Sequence, residues 1–187
     1  MTVIVAVKGP EGVVMGADSQ TTCGWEPSTR VQPKIFERNA GGRQLYFGVA
    51  GNVRLSDVIR YAELPDGASY MDAHQWLTTA LVPALREASK ASGWTEVEKN
   101  REDNSGAIIV VTGGRIFKVD NTWSVHEPAR PYWAIGSGGD HAAGAIAALL
   151  QHTPELGIRG IVLAALEAAC VHCIGCGAPL HVVECAA

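Results

Sequence analysis

The sequence predicts a layered α/β domain with helices packed on the faces of β-sheets. Three observations point there. Short apolar runs separated by glycine, proline and polar clusters fill the first 50 positions, a strand-and-turn pattern. Later stretches switch to apolar steps of three and four, the period of a helix buried on one side. The chain has 187 residues, 47% of them hydrophobic, which suits one substantial core and one domain spanning residues 1–187.

Residues 2–7 and 13–17 read as strands joined by the turn residues 8–12. A polar stretch rich in turn residues follows, then Lys34-Ile35-Phe36 and an apolar run over 44–50. Helical spacing is predicted over 57–64 and again over 72–91, where Trp76, Leu77, Leu81 and Leu85 fall on one stripe. Pro83 lies inside the longer helix and is expected to kink it. Residues 93–105 are polar and read as a surface loop. Strands are predicted at 107–112, 115–119 and 133–135, with Gly113-Gly114 turning the first into the second. Helices over 142–150 and 158–173 and a last strand over 180–184 complete the order.

Composition excludes several classes. Lys and Arg number 15 against 19 Asp and Glu, a net charge of -4 with no basic stripe, so no nucleic-acid partner is expected. No stretch approaches the roughly 18 consecutive apolar residues of a membrane span. No basic start precedes an apolar segment of the secretory kind, so the chain reads as cytoplasmic. Five cysteines, four of them at Cys170, Cys173, Cys176 and Cys185, do not make a disulfide framework. They read as reduced and buried; with no four-ligand spacing, no metal is expected. The five tryptophans, Trp25, Trp76, Trp94, Trp123 and Trp133, share no period and suit packing or subunit contacts.

Thr2 is the residue with the most chemical potential. Removal of Met1 would give one residue both a hydroxyl nucleophile and a free α-amine, whose pKa of about 8 makes it a usable base. On position alone Thr2 reads as no more than the first residue of a strand. Asp18 closes the run Val13-Val14-Met15-Gly16-Ala17, where a carboxylate orients a cation or simply forms a turn. Lys34 is a partner for it, or a solvated lysine before an apolar pair. The segment from Gly136 through Ser137 to Asp140 offers exposed amides and a hydroxyl, but lacks the Lys-Ser/Thr ending of a nucleotide loop, so no cofactor is expected. His141 and His181 suit a helix start and a strand better than a catalytic base.

Taken together these residues resemble the proteasome β-type subunits of the N-terminal nucleophile hydrolase superfamily, and most closely the bacterial two-ring peptidase that works with an unfolding ATPase. The carrying motifs are Thr-Val-Ile-Val-Ala from Thr2, Gly-Ala-Asp-Ser-Gln-Thr-Thr from Gly16, Gly-Ser-Gly-Gly from Gly136, and the separations of 16 and 32 residues from Thr2 to Asp18 and Lys34. The resemblance implies a four-layer αββα sandwich and a threonine-type endopeptidase. In it Thr2 attacks, Lys34 tunes the nucleophile, Asp18 holds Lys34, Ser137 supports the terminal amine, Gly51 N–H meets the oxyanion and Val49 lines the specificity pocket. It further implies stacked rings of identical subunits, a separate unfolding ATPase and a polypeptide substrate. A small-molecule amidohydrolase and a noncatalytic ring subunit are the rival readings. The departure from the family lies at Cys170-Val171-His172-Cys173-Ile174, where proteasome subunits carry Asp-x-x-Ser-Gly.

Overall fold

The computed structural model describes residues 1–23, 26–68, 70–93, 96–98 and 101–186. Trp25 and Trp94 lie outside the described residues, as do Gly24, Ser69, Thr95, Lys99, Asn100 and Ala187.

The continuous apolar runs of the sequence are explained by two sheets, each covered on both faces. Strands β1 (Ile4–Gly9), β2 (Gly12–Ala17), β12 (Tyr132–Ile135) and β13 (His181–Cys185) form an antiparallel sheet in the order β12-β1-β2-β13. Strands β5 (Ile35–Ala40), β6 (Arg43–Gly51), β9 (Gly106–Thr112), β10 (Arg115–Val119) and β11 (Val125–His126) form a second, ordered β11-β10-β9-β6-β5. Side chains alternate between the layers they fill. Ile4 and Ala6 face Ile109 and Val111 between the sheets, while Val3, Val5 and Val7 point outward beneath α4 (Gly139–His152) and α5 (Gly157–His172). On the second sheet Leu45, Phe47, Ile108 and Val110 point outward beneath α1 (Val53–Tyr61), α2 (Ala73–Trp76) and α3 (Val82–Ala91). The result is a four-layer αββα sandwich, as the resemblance implies.

Alanine-rich α5 approaches the first sheet closely because Gly16 leaves room. A Cβ there would lie 2.5 Å from Val162 Cγ1 and 2.8 Å from Leu166 Cδ1. On the opposite side Trp76, Leu77, Leu81 and Leu85 form the predicted stripe, all at 1% exposure or less.

Several elements differ from the sequence reading. The polar stretch after Asp18 contains a hairpin, β3 (Gln20–Cys23) and β4 (Glu26–Thr29), whose exposed second strand has no apolar alternation to announce it. Residues 93–105 include β7 (Glu96–Glu98) paired with β8 (Arg101–Asp103) rather than loop alone. Helix α1 starts at Val53 rather than 57, because the Asn52 side chain caps it by accepting from Arg54 N at 2.8 Å. Pro83 does not break its helix. A π-helical segment, Leu77–Leu81, joins α2 to α3, and the Val82 amide reaches back to the Leu77 carbonyl just before the proline removes the next donor.

Candidate active site

The antiparallel register of the first sheet gathers four segments at one end. Ile4 pairs with Ala17 on β2 and with Ile135 on β12, so Thr2 lies just beyond the strand end, beside Asp18 on one side and the Gly136–Gly138 turn on the other. That turn leads into α4. Gly138 N donates to the Thr2 carbonyl at 3.1 Å and Ser137 Oγ donates to it at 3.3 Å. Thr2 N donates to Ser137 Oγ at 3.1 Å. Gly136 takes φ +90° here, and a Cβ on it would strike the Thr2 carbonyl.

Asp18 is fully buried and its carboxylate is saturated with donors. Oδ1 accepts from Val3 N at 3.0 Å and from Lys34 Nζ at 2.7 Å; Oδ2 accepts from Gln20 N at 3.2 Å and Gly177 N at 3.1 Å. Four donors replace the water this carboxylate gives up. Lys34, only 5% exposed, has an acceptor for each of its three protons: Asp18 Oδ1, the Gln20 carbonyl and the Met1 carbonyl at 3.3 Å. Burial pulls the Lys34 pKa below that of an ordinary lysine, and the hydrogen bond and charge of Asp18 oppose this without cancelling it.

Thr2 Oγ1 donates to the same Met1 carbonyl, at 2.6 Å. The hydroxyl and the ammonium of Lys34 therefore converge on one oxygen. Around them lies an open cleft of about 270 Å³ lined by Met1, Thr2, Ala50, Gly51, Gly106, Ala107, Gly136 and Ser137. Gly51 closes β6 with φ +122°, and a Cβ there would lie 2.5 Å from the Ser105 carbonyl. Thr2, Asp18, Lys34, Gly51 and Ser137 are thus brought together.

Val49 is not brought with them. It is 5% exposed and packs in the outer core beneath the helices, because strand alternation sends its neighbour Ala50 to the cleft instead. His141 and His181 do not line the cleft; His141 sits in the first turn of α4, its ring 5.8 Å from that of His172. The cysteines divide. Cys176 and Cys185 are buried, whereas Cys170 and Cys173 are half-exposed, a correction to the reading that all are buried. Among the described residues no group of three or more His, Cys, Asp or Glu side chains is placed to hold a metal. Sequence reasoning missed Gln20 and Gly177, whose backbone groups share the Asp18 and Lys34 network, and the contact of Cys173 Sγ with Ser137 Oγ at 3.5 Å. No periodicity signals contacts made across 36 or 159 positions.

The layered sheets, with a threonine at one end of the sandwich, define the αββα class of the N-terminal nucleophile hydrolases. The fold of "Thiobacillus denitrificans BPH" superposes with a TM-score of 0.79 at 20% identity, covering 97% of both chains. The same protein in complex with Epoxomicin superposes at 0.78, also at 20% identity, covering 97% of this chain and 98% of that one. No family model matches the chain. The ATP-dependent protease subunit HslV of Caldicellulosiruptor saccharolyticus is 30% identical over 183 residues, covering 98% of this chain and 97% of that protein. The chain belongs to the HslV family.

Proposed function

We propose that the mature chain is a threonine-type endopeptidase, one domain over residues 1–187, that begins at Thr2 once an aminopeptidase removes Met1. The observation that carries this reading is the convergence of Thr2 Oγ1 and Lys34 Nζ on the Met1 carbonyl. Loss of Met1 removes that shared acceptor and turns the Thr2 amide nitrogen, already bonded to Ser137 Oγ, into a free amine.

The reaction is acyl transfer. Thr2 Oγ1 attacks the substrate carbonyl carbon as its proton passes to the Thr2 α-amine, directly or through water. The positive charge of Lys34, held by Asp18, favours the developing alkoxide. The tetrahedral oxyanion is met by Gly51 N–H. Collapse breaks the C–N bond, the departing amine takes the proton from the α-ammonium, and an ester remains on Thr2. Water attacks that ester with the α-amine again as base, releasing the acid and restoring the hydroxyl. No metal or cofactor enters these steps.

Small apolar walls at Ala50 and Ala107 favour apolar substrate side chains. Membership in a family of ATP-dependent protease subunits supports a cytoplasmic ring of identical subunits fed with polypeptide by a separate ATPase. Among the described residues no helix is long and apolar enough to cross a membrane.

The test combines intact mass, sizing and Epoxomicin as the probe. Loss of Met1, a ring-sized particle, peptide turnover and an added mass on the Thr2 peptide support the reading. Uniform retention of Met1 in active protein rejects the proposed base. A small active particle indicates the amidohydrolase, and an inert ring the noncatalytic subunit.

A further inference from the structure

The end of α5 carries a second reactive group that the acyl-transfer reading does not use. Cys173 and Cys176 flank a turn closed by Cys176 N donating to the Cys173 carbonyl at 2.9 Å. Such a turn holds its outer Cα atoms within about 7 Å, the separation a disulfide spans. Cys173 Sγ lies 3.5 Å from Ser137 Oγ, within hydrogen-bonding reach for a thiol. Cys176 Sγ packs against Gly138, the residue after Ser137 in the turn that leads into α4, since a Cβ on Gly138 would lie 2.8 Å from it.

The pair is also asymmetric. Burial works against ionisation of half-exposed Cys173, but hydrogen bonds involving Ser137, the Gly175 amide and Cys176 outweigh it and bring its pKa below that of an ordinary thiol. Burial, reinforced by the bond to Cys173, pushes Cys176 up to about 12. A partly exposed thiol with a lowered pKa thus lies beside a buried one with a raised pKa, the asymmetry of an attacking and a resolving cysteine.

We propose that Cys173 and Cys176 are a redox-active dithiol, oxidised by a peroxide to an intramolecular disulfide that withdraws Cys173 from Ser137 and so alters the support of the Thr2 amine. The Cys173 thiolate attacks one oxygen of hydrogen peroxide, breaking the O–O bond and releasing hydroxide, to give a sulfenic acid. Cys176 sulfur then displaces that hydroxyl, which leaves as water with the Cys176 proton. The peroxide gains the two electrons that the sulfurs lose, and two thiols with one peroxide become one disulfide and two waters. A dithiol reductant reverses it.

The coupling to turnover rests on the threonine-peptidase reading, whereas the disulfide does not. Two readouts keep them apart on the full chain treated with hydrogen peroxide. Non-reducing peptide mapping is expected to link Cys173 to Cys176, and turnover to fall about tenfold, the rate equivalent of one hydrogen bond, and to recover with dithiothreitol. The C173S/C176S double variant is expected to lose the peroxide response, and C170S to keep it. No disulfide, or one joining Cys170, overturns the dithiol. A mapped Cys173–Cys176 disulfide with unaltered turnover, or an equal response in the double variant, overturns the coupling. Fully reduced protein without turnover refutes the peptidase reading instead, and the mapping alone then upholds or overturns the dithiol.

Discussion

The two ends of the first sheet hold cavities of opposite character. At the Thr2 end the cleft is about 270 Å³, and behind Met1 and Thr2 lie Lys34 and Asp18, a buried ion pair at 2.7 Å with 5% and 0% side-chain exposure. At the far end, where β1 turns into β2, a groove of about 740 Å³ runs beneath α5 and is walled by Val13, Leu150, Ile158 and Ile161. Its charges sit on the rim. Arg159 and Glu184 pair there at 3.6 Å with 56% and 73% exposure, so water screens them. The charged side chains lining the larger cavity, Lys8, Glu11, Arg159 and Glu184, are all exposed. Chemistry is located by charge taken out of water and held by fixed donors, and cavity size is a poor guide to it.

Substitutions at the two ends sharpen this contrast. Thr2→Ala is expected to abolish turnover, by about 10,000-fold or more as for other nucleophiles, with thermal unfolding nearly unchanged. Appreciable residual peptide cleavage by the purified variant would point to another nucleophile. Next in size, Lys34→Met leaves the Asp18 carboxylate buried without its cation and is expected to cost about 3–5 kcal/mol in urea unfolding. Adding Asp18→Asn should return part of that stability and none of the activity. Full stability in Lys34→Met alone would mean that the pair is already neutralised in the folded protein.

Gly51→Ala forces a side chain onto φ +122° and against the Ser105 carbonyl, and is expected to lower stability by about 1–3 kcal/mol and, on the proposed mechanism, to slow turnover by displacing Gly51 N–H. A pH effect comes next. The folded protein binds the Lys34 proton less tightly than the unfolded chain, which holds it up to about 10.5. Its folding cost is therefore complete below the lowered value and is relieved as the pH rises from there to 10.5. Wild type should gain stability relative to Lys34→Met as the pH rises through that window; a parallel pair of pH–stability curves contradicts the lowered pKa. Smallest of all, Glu184→Gln at the far rim should change unfolding by less than about 0.5 kcal/mol and leave peptide turnover as it was.

The layers were legible because strands buried on both faces leave unbroken apolar runs, as in Ile4–Val7 and Ile108–Val111. Thr2 and Asp18 each flank such a run, whereas Lys34 precedes only an apolar pair; that the three belong together was implied by the resemblance and its separations of 16 and 32 residues. What stayed hidden depends on tertiary partners. The β3–β4 hairpin has no apolar face, and the side of β6 that Val49 takes is settled by its register with β9 and by the helices above it. The approach of Cys173 to Ser137 needs α5 docked on the sheet, which no local pattern encodes.

Asp18 also carries a consequence for the order in which the molecule is built. Its donors come from Val3 just before β1, from Gln20 two places on, from Lys34 sixteen places on, and from Gly177, 159 positions later. Hairpins such as β1–β2 close short loops and form early, whereas joining Gly177 to Asp18 closes a loop of most of the chain. The carboxylate is fully satisfied only when the segment after α5 has docked. During synthesis, a ribosome-bound chain lacking that segment has an incomplete Asp18 network, so on the proposed mechanism competence of Thr2 arrives with completion of the fold rather than ahead of it.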